Sequence, residues 1–177
     1  MLRITCAGFG GQGVLTAGLL LAHISMMNNK KLTWVPSYGS EMRGGTASCR
    51  LRIGDTEILN PFFSKMDVLL AMNGESVDIF GKNIAPGGLL VVNSTMVGDV
   101  PPPEGGRIVR VPATALATQM HNARAANIVI LGATIAATGL FAVETFADGI
   151  DQYFGAKGKN NPLNRQCFLA GAQAAAQ

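Results

Sequence analysis

Gly8-Phe9-Gly10-Gly11-Gln12-Gly13 is the stretch on which the fold turns, and Tyr38-Gly39-Ser40-Glu41-Met42-Arg43-Gly44-Gly45 echoes it further along the chain. The first follows a short β-prone run, Leu2 to Ala7, and opens an apolar helical pattern over Val14 to Met27. Gly8, Gly10 and Gly13 have the G-x-G-x-x-G spacing. Glycines permit a tight strand-to-helix turn and a close backbone approach, and the start of the helix then offers unpaired N–H groups to an anion. The second stretch follows another short run, Leu32 to Pro36. Two such loops leaving neighbouring parallel strands would share one edge of a sheet, the edge at which open α/β folds bind ligands.

The rest of the chain reads outward from these loops. In the first helix Leu15, Leu19, Ala22 and Met26 recur at helical spacing, which predicts the core-facing side. His23 stands alone there and reads as a packed or surface residue rather than a ligand. A nicotinamide site would place an acid about 20 residues past the loop, to hold the ribose. Val35, Pro36 and Ser37 stand there instead, and the nearest acid is Glu41. Ala47 to Ile53 alternates apolar and polar, and Gly54-Asp55 predicts a turn into Thr56 to Leu59, hence a β-hairpin near 47–59 and a mixed sheet. Met66 to Met72, Leu89 to Val92 and Arg107 to Val111 read as further strands, Glu75 to Phe80 as a short helix, and Pro112 as a helix start. Asp151 to Gln177 reads as a loop and a final alanine-rich helix, and no linker divides residues 1–177, so a single domain is expected.

Charged residues make up only 14% of the chain, against about 25% in an ordinary soluble domain. Either a membrane segment or a surface buried against partners would account for this. Ala125 to Val143 carries no charge, yet Asn127, Thr134, Thr138, Gly132 and Gly139 interrupt it, which favours one helix or a broken pair buried in protein. The net charge of +3 is mild and scattered, so neither nucleic acid nor membrane is expected as a partner. A single arginine, Arg3, ahead of a very short apolar run is not a secretory leader, and Cys6, Cys49 and Cys167 suit a reducing cytoplasm as buried side chains.

No catalytic set assembles from the residues alone. The two histidines lie far apart, no Cys or His cluster has zinc or iron–sulfur spacing, and Lys-Ser/Thr does not follow the glycine loop as a P-loop requires. Anion-binding architecture remains: the amides of Gly10 to Gly13 and around Gly44-Gly45, with the Arg43 guanidinium, suit a phosphate or carboxylate. Arg43 pairing with Glu41 in a tight loop is the equally weighted structural reading.

In order along the chain, Gly8 to Val14 (GFGGQGV), Pro36 to Thr46 (PSYGSEMRGGT), Ala85 to Leu89, Pro112-Ala113-Thr114, Ala126-Asn127 and Leu131-Gly132-Ala133 resemble the γ subunit of 2-oxoacid:ferredoxin oxidoreductases. The resemblance implies a three-layer α/β/α, Rossmann-like sandwich with a mostly parallel, mixed sheet. It implies a place in an enzyme that decarboxylates a 2-oxoacid on thiamine diphosphate and Mg, forms an acyl-CoA and passes electrons through iron–sulfur clusters to ferredoxin. It leaves this chain without a catalytic residue, metal or cofactor of its own, since the thiamine Gly-Asp-Gly motif is broken at Gly54-Asp55-Thr56 and cluster cysteines are missing. Those parts would belong to α, β and, where present, δ subunits of a cytoplasmic hetero-oligomer. Among pyruvate, branched-chain, indolepyruvate and 2-oxoglutarate enzymes, the resemblance leans to 2-oxoglutarate. The candidate site residues are then Gly8, Gly10, Gly11, Gln12, Gly13, Glu41, Arg43, Gly44 and Gly45, facing the thiamine or CoA region. An independent NAD(P)-binding protein and a purely structural scaffold stand as the alternatives.

Overall fold

The computed structural model describes residues 1–38 and 45–176. Its strands are β1 (Leu2–Phe9), β2 (Lys31–Tyr38), β3 (Thr46–Gly54), β4 (Met66–Ala71), β5 (Ile84–Asn93) and β6 (Arg107–Val111). They form one sheet in the order β2-β3-β1-β4-β5-β6. Its helices are α1 (Val14–Met27), α2 (Gly74–Phe80), α3 (Ala113–Gln119), α4 (Ala126–Thr138), α5 (Val143–Gly155) and α6 (Pro162–Ala174). β1, β4, β5 and β6 run parallel, as short strands apolar on both faces do. β3 is antiparallel to β1 and to β2, so the sheet is mixed, as expected, although not through the hairpin near 47–59 on which that expectation rested.

The hairpin itself is differently built. Its strands are β2 and β3, paired from Lys31↔Gly54 to Tyr38↔Ala47, and Thr56 to Leu59 forms no strand. The expected turn at Gly54-Asp55 instead releases the chain into a loop, where Asp55 is held by Lys30 at 2.7 Å. The strand order also departs from a dinucleotide-binding unit, in which the second strand lies directly beside the first and parallel to it. Here β3 is inserted between them. Tyr38 and Gly45, the described ends of the second stretch, still reach the edge of the first, because β2 runs in the direction of β1 and the Gly10 amide bonds to Gly45 there.

Two clusters of buried residues sandwich the sheet. On one face Ile4, Cys6, Cys49, Leu51, Leu70 and Val91 meet side chains of α1, α3, α4, α5 and α6. On the other, Ala7, Leu69, Ala71, Leu90 and Val92 meet Phe63, Val97 and the α2 side chains Val77 and Phe80. The layers are therefore unequal: five helices cover one face, and one short helix with two loops covers the other. That second cluster takes nothing from β2 or β3.

Only half of the expected α1 face turns inward: Ala22 is buried and Leu15 packs half-buried against the core. Ala17, Leu20, Leu21 and Ile24 are fully buried, whereas Leu19 and Met26 are exposed. The helix is apolar nearly all round, so spacing alone did not single out a side. The uncharged run Ala125 to Val143 holds one buried helix, the first of the two expected forms: α4 stops before Gly139, whose φ of 63° is left-handed, and α5 starts only at Val143. Gly132 and Gly171 let α4 and α6 touch backbone to backbone; a Cβ on Gly171 would come within 1.8 Å of the Val129 carbonyl oxygen. No described helix is long and apolar enough to cross a membrane.

At the far end of the sheet Arg3 grips Asp67 with both guanidinium branches, Nε–Oδ2 at 3.0 Å and Nη2–Oδ1 at 2.6 Å, pinning β1 to β4. Partial burial pushes the Asp67 carboxyl up, but the hydrogen bonds and charge of Arg3 outweigh it and hold the group below the ordinary carboxylate range.

Candidate functional site

The GFGGQGV loop forms because each position answers a separate steric demand. A Cβ on Gly8 would sit 2.8 Å from both Gln12 Oε1 and Val14 Cγ1. Gly11 and Gly13 have φ of 98° and 74°, the left-handed region that glycine occupies without a Cβ penalty. Gln12 folds back over the turn, and its Oε1 accepts from the Phe9 amide at 2.7 Å and from Asn73 Nδ2 at 2.9 Å. Asn73 in turn caps α2, its Oδ1 accepting from the Ser76 amide at 2.9 Å. Gln12 therefore ties the loop to the neighbouring strand-to-helix turn.

The same loop is clamped from the distant half of the chain. Asn127 Nδ2 donates to the Gly13 carbonyl at 3.0 Å, and a Cβ on Gly13 would lie 2.6 Å from that nitrogen. Asn127 is buried in α4, and its Oδ1 has no partner. The second glycine stretch joins as well: the Gly10 amide donates to the Gly45 carbonyl at 3.0 Å. The Gln12 amide is likewise taken, by the Phe9 carbonyl at 3.1 Å. Among the described residues, the amides of Gly11 and Gly13 and of the first turn of α1 have no acceptor. That helix has no side-chain cap and no acidic residue in its first turn. Its N-terminal end therefore carries an uncompensated partial positive charge, roughly half an elementary charge.

Phe9, Gly10, Gly11, Gly13, Thr16 and Tyr38 line a cleft of about 430 Å³ over this end. Tyr38 is 69% exposed and forms one wall. On the other side of Gly13 a smaller cleft of about 210 Å³ lies among Thr16, Asn122, Arg124 and Asn127. A cavity of about 250 Å³ at the opposite end of the sheet contains Asp67, which Arg3 already engages.

Of the residues expected to form the site, Gly8, Gly10, Gly11, Gln12, Gly13 and Gly45 are therefore contiguous. Glu41, Arg43 and Gly44 lie outside the described residues. Asn73, Asn127 and Tyr38 join the site without having been singled out as site residues. The legible signal was Asn127, a polar side chain in an uncharged run, which a core tolerates only for a hydrogen bond. Cys6 and Cys49 face each other across β1 and β3, fully buried. The bond to Cys49 and burial push the Cys6 thiol well up, so it is not poised as a nucleophile. Among the described residues no three His, Cys, Asp or Glu side chains converge as metal ligands.

The family model described as pyruvate ferredoxin/flavodoxin oxidoreductase matches residues 3–174. The chain belongs to this family. It is similar to the γ subunit of a keto/oxoacid ferredoxin oxidoreductase from Geobacter sulfurreducens, with a TM-score of 0.83, 28% identity and 99% of each chain covered. It is 39% identical to ketoisovalerate oxidoreductase subunit VorA of Methanothermobacter thermautotrophicus over 97% of its own length. The match takes in 36% of VorA, so the chain spans about a third of that relative. It is also similar to 2-oxoglutarate:ferredoxin oxidoreductase from Magnetococcus marinus, a structure holding 2-oxoglutarate, coenzyme A and succinyl-CoA. There the TM-score is 0.87 at 26% identity, over 99% of this chain and 31% of that one. The γ-type domain therefore occurs both at this size and as a third of a longer polypeptide.

Proposed function

We propose that this γ-type chain serves as the γ subunit of a 2-oxoacid:ferredoxin oxidoreductase and that its glycine edge closes part of the active site built by α and β subunits. The assembled enzyme converts 2-oxoglutarate, CoA and oxidised ferredoxin into succinyl-CoA, CO2 and reduced ferredoxin. The single observation that carries the reading is the uncapped start of α1 beneath an open cleft, bordered by the first glycine stretch and by Tyr38. Free backbone N–H groups at a helix start hold phosphate or carboxylate oxygens, and CoA offers the former. An independent dinucleotide enzyme is disfavoured, since β3 separates β2 from β1 and Tyr38 ends β2 where a ribose-binding acid would stand.

Thiamine diphosphate supplies the centre at which a 2-oxoacid loses CO2, and iron–sulfur clusters remove the electrons. The described residues of this chain do not fit either group: Gly54-Asp55 ends a strand in a turn, and the three cysteines are buried, with Cys6 against Cys49 in the sheet and Cys167 apart on α6. Both groups are assigned to the partners. The role left to this chain is to bind and orient an anionic substrate portion with the Gly11 and Gly13 amides, and to exclude water with Tyr38. A branched-chain 2-oxoacid is the second reading of the substrate, favoured by the identity to VorA.

The test is anaerobic purification of the complex through a tag on this chain, followed by turnover on 2-oxoglutarate, ketoisovalerate and pyruvate. Thiamine-dependent acyl-CoA formation, with 2-oxoglutarate preferred, supports the proposal. A chain that purifies without partners and without such turnover overturns it.

A further inference from the structure

The second face of the sheet changes character from one half to the other. Strand register aligns three rows across it: Thr33–Arg52–Arg3, Val35–Arg50–Thr5 and Ser37–Ser48–Ala7, reading from β2 through β3 to β1. Beyond β1 the rows continue into Leu69 and Ala71 of β4, which belong to the buried cluster under α2. The helix that packs on β2 and β3 is α1, and it lies on the opposite face. Among the described residues, the β2–β3 half is thus roofed only by the loop that follows β3. Arg50 and Arg52 lay their guanidinium groups over the ring of Phe63 at 5.9 and 5.8 Å.

This half is chemically unfinished. Neither Arg50 nor Arg52 has a carboxylate partner among the described residues; Arg52 Nη1 reaches only the Asn60 carbonyl, at 2.7 Å. Arg52 Nε and the Thr33 hydroxyl are buried with no acceptor among the described residues, a state that normally costs free energy. Beside them Leu59 is 91% exposed and Phe62 is 60% exposed. Paired arginines with exposed aromatic and aliphatic anchors are the composition of a protein–protein interface centre. A polyanion such as nucleic acid would satisfy the arginines and leave Leu59 and Phe62 in water. A second copy meeting face to face would set Arg50 and Arg52 against themselves; of the two acids on the adjoining loop, Asp55 is already held by Lys30, which leaves Glu57 as one carboxylate for two arginines.

We infer that the β2–β3 face is a docking surface for another part of the oxidoreductase, and that the docked surface presents two carboxylates to Arg50 and Arg52 within an apolar rim that covers Leu59 and Phe62. Arg50 and Arg52 project from alternate residues of one strand, so the carboxylates stand about 7 Å apart. In the VorA and Magnetococcus relatives the matching region is about a third of one polypeptide, so such a domain does lie alongside a larger body of the same enzyme. The inference rests on the γ-subunit reading and adds to it which face is covered and by what chemistry.

The test compares the wild-type chain with Arg50→Glu, Arg50→Gln, Leu59→Ser and a remote control, Lys159→Glu, each titrated into the remaining subunits of the native complex. Arg50→Glu is expected to weaken assembly at least ten-fold and Arg50→Gln and Leu59→Ser several-fold, with Lys159→Glu unchanged. Raising salt is expected to weaken wild-type assembly and to leave Arg50→Glu nearly insensitive. Unaltered melting of the isolated Arg50→Gln and Leu59→Ser chains separates a docking defect from misfolding. Wild-type assembly that all three variants match overturns the inference and leaves the subunit reading intact. A wild-type chain that joins no complex overturns both. Sedimentation showing a wild-type dimer abolished by Arg50→Glu, or oligonucleotide binding abolished by it, also overturns the inference, in favour of a second copy or a nucleic acid.

Discussion

Replacing Gly13 by Ala puts the loop clamp under load in a way that can be worked out in advance. The new Cβ meets two penalties. A left-handed φ of 74° costs a non-glycine residue about 1 kcal/mol. The Cβ would also stand 2.6 Å from Asn127 Nδ2, so the buried amide has to move and give up its bond to the Gly13 carbonyl. That displacement costs about 2 kcal/mol more, from crowding and the lost hydrogen bond. Asn127→Ala alone should cost about 1 kcal/mol or less, because it also removes an Oδ1 that had no partner. In the double variant the clash is gone, so the total should be about 2 kcal/mol rather than the additive 4, a coupling of about 2 kcal/mol. Urea unfolding followed by Trp34, the single tryptophan, measures all four corners of the cycle, since its indole lies beside Gly18 of α1. Additivity to within about 0.5 kcal/mol would refute the steric clamp.

Gly171→Ala should cost about 3 kcal/mol or prevent folding, because α4 and α6 must separate; a melting scan of the isolated chain checks it. Gln12→Ala removes the acceptor of the Phe9 amide and of Asn73, and should raise the KM for CoA in the assembled enzyme several-fold with little change in kcat. For Asp67 the folded pKa lies below the unfolded value, so its contribution is present above about pH 4 and is lost as pH falls through the folded value. Asp67→Asn should therefore lower stability by about 1 kcal/mol at neutral pH and flatten the acid limb of a stability–pH profile.

The strands and helices could be read because local patterning agrees with the fold in most places. β4 is a short, mostly apolar run bounded by polar turns, and Pro112 stands at the start of α3. The reading failed where local pattern carries no direction. α1 is apolar on every side, so only its contacts with β2, β3 and α5 decide which side is inward. A run such as Thr56 to Leu59 looks like a strand partner until β2 is seen to occupy that place. For the site, the glycine spacing located the loop, and φ values and forbidden Cβ positions explain it. Its other supports, Asn73 and Asn127, lie 61 and 114 residues from their partners, and no local spacing rule spans such separations.

The clamp between Gly13 and Asn127 also bears on the order in which the molecule is finished. A ribosome adds about 5–20 residues each second, so Asn127 is made roughly ten seconds after Gly13. Until α4 has left the exit tunnel, the Gly13 carbonyl has the Ala17 amide of its own helix but lacks the Asn127 amide that packs against the turn. A truncated product, or one whose C-terminal half is damaged, therefore presents an unfinished glycine edge. Any partner that recognises this edge reads the integrity of the whole chain through its first thirteen residues.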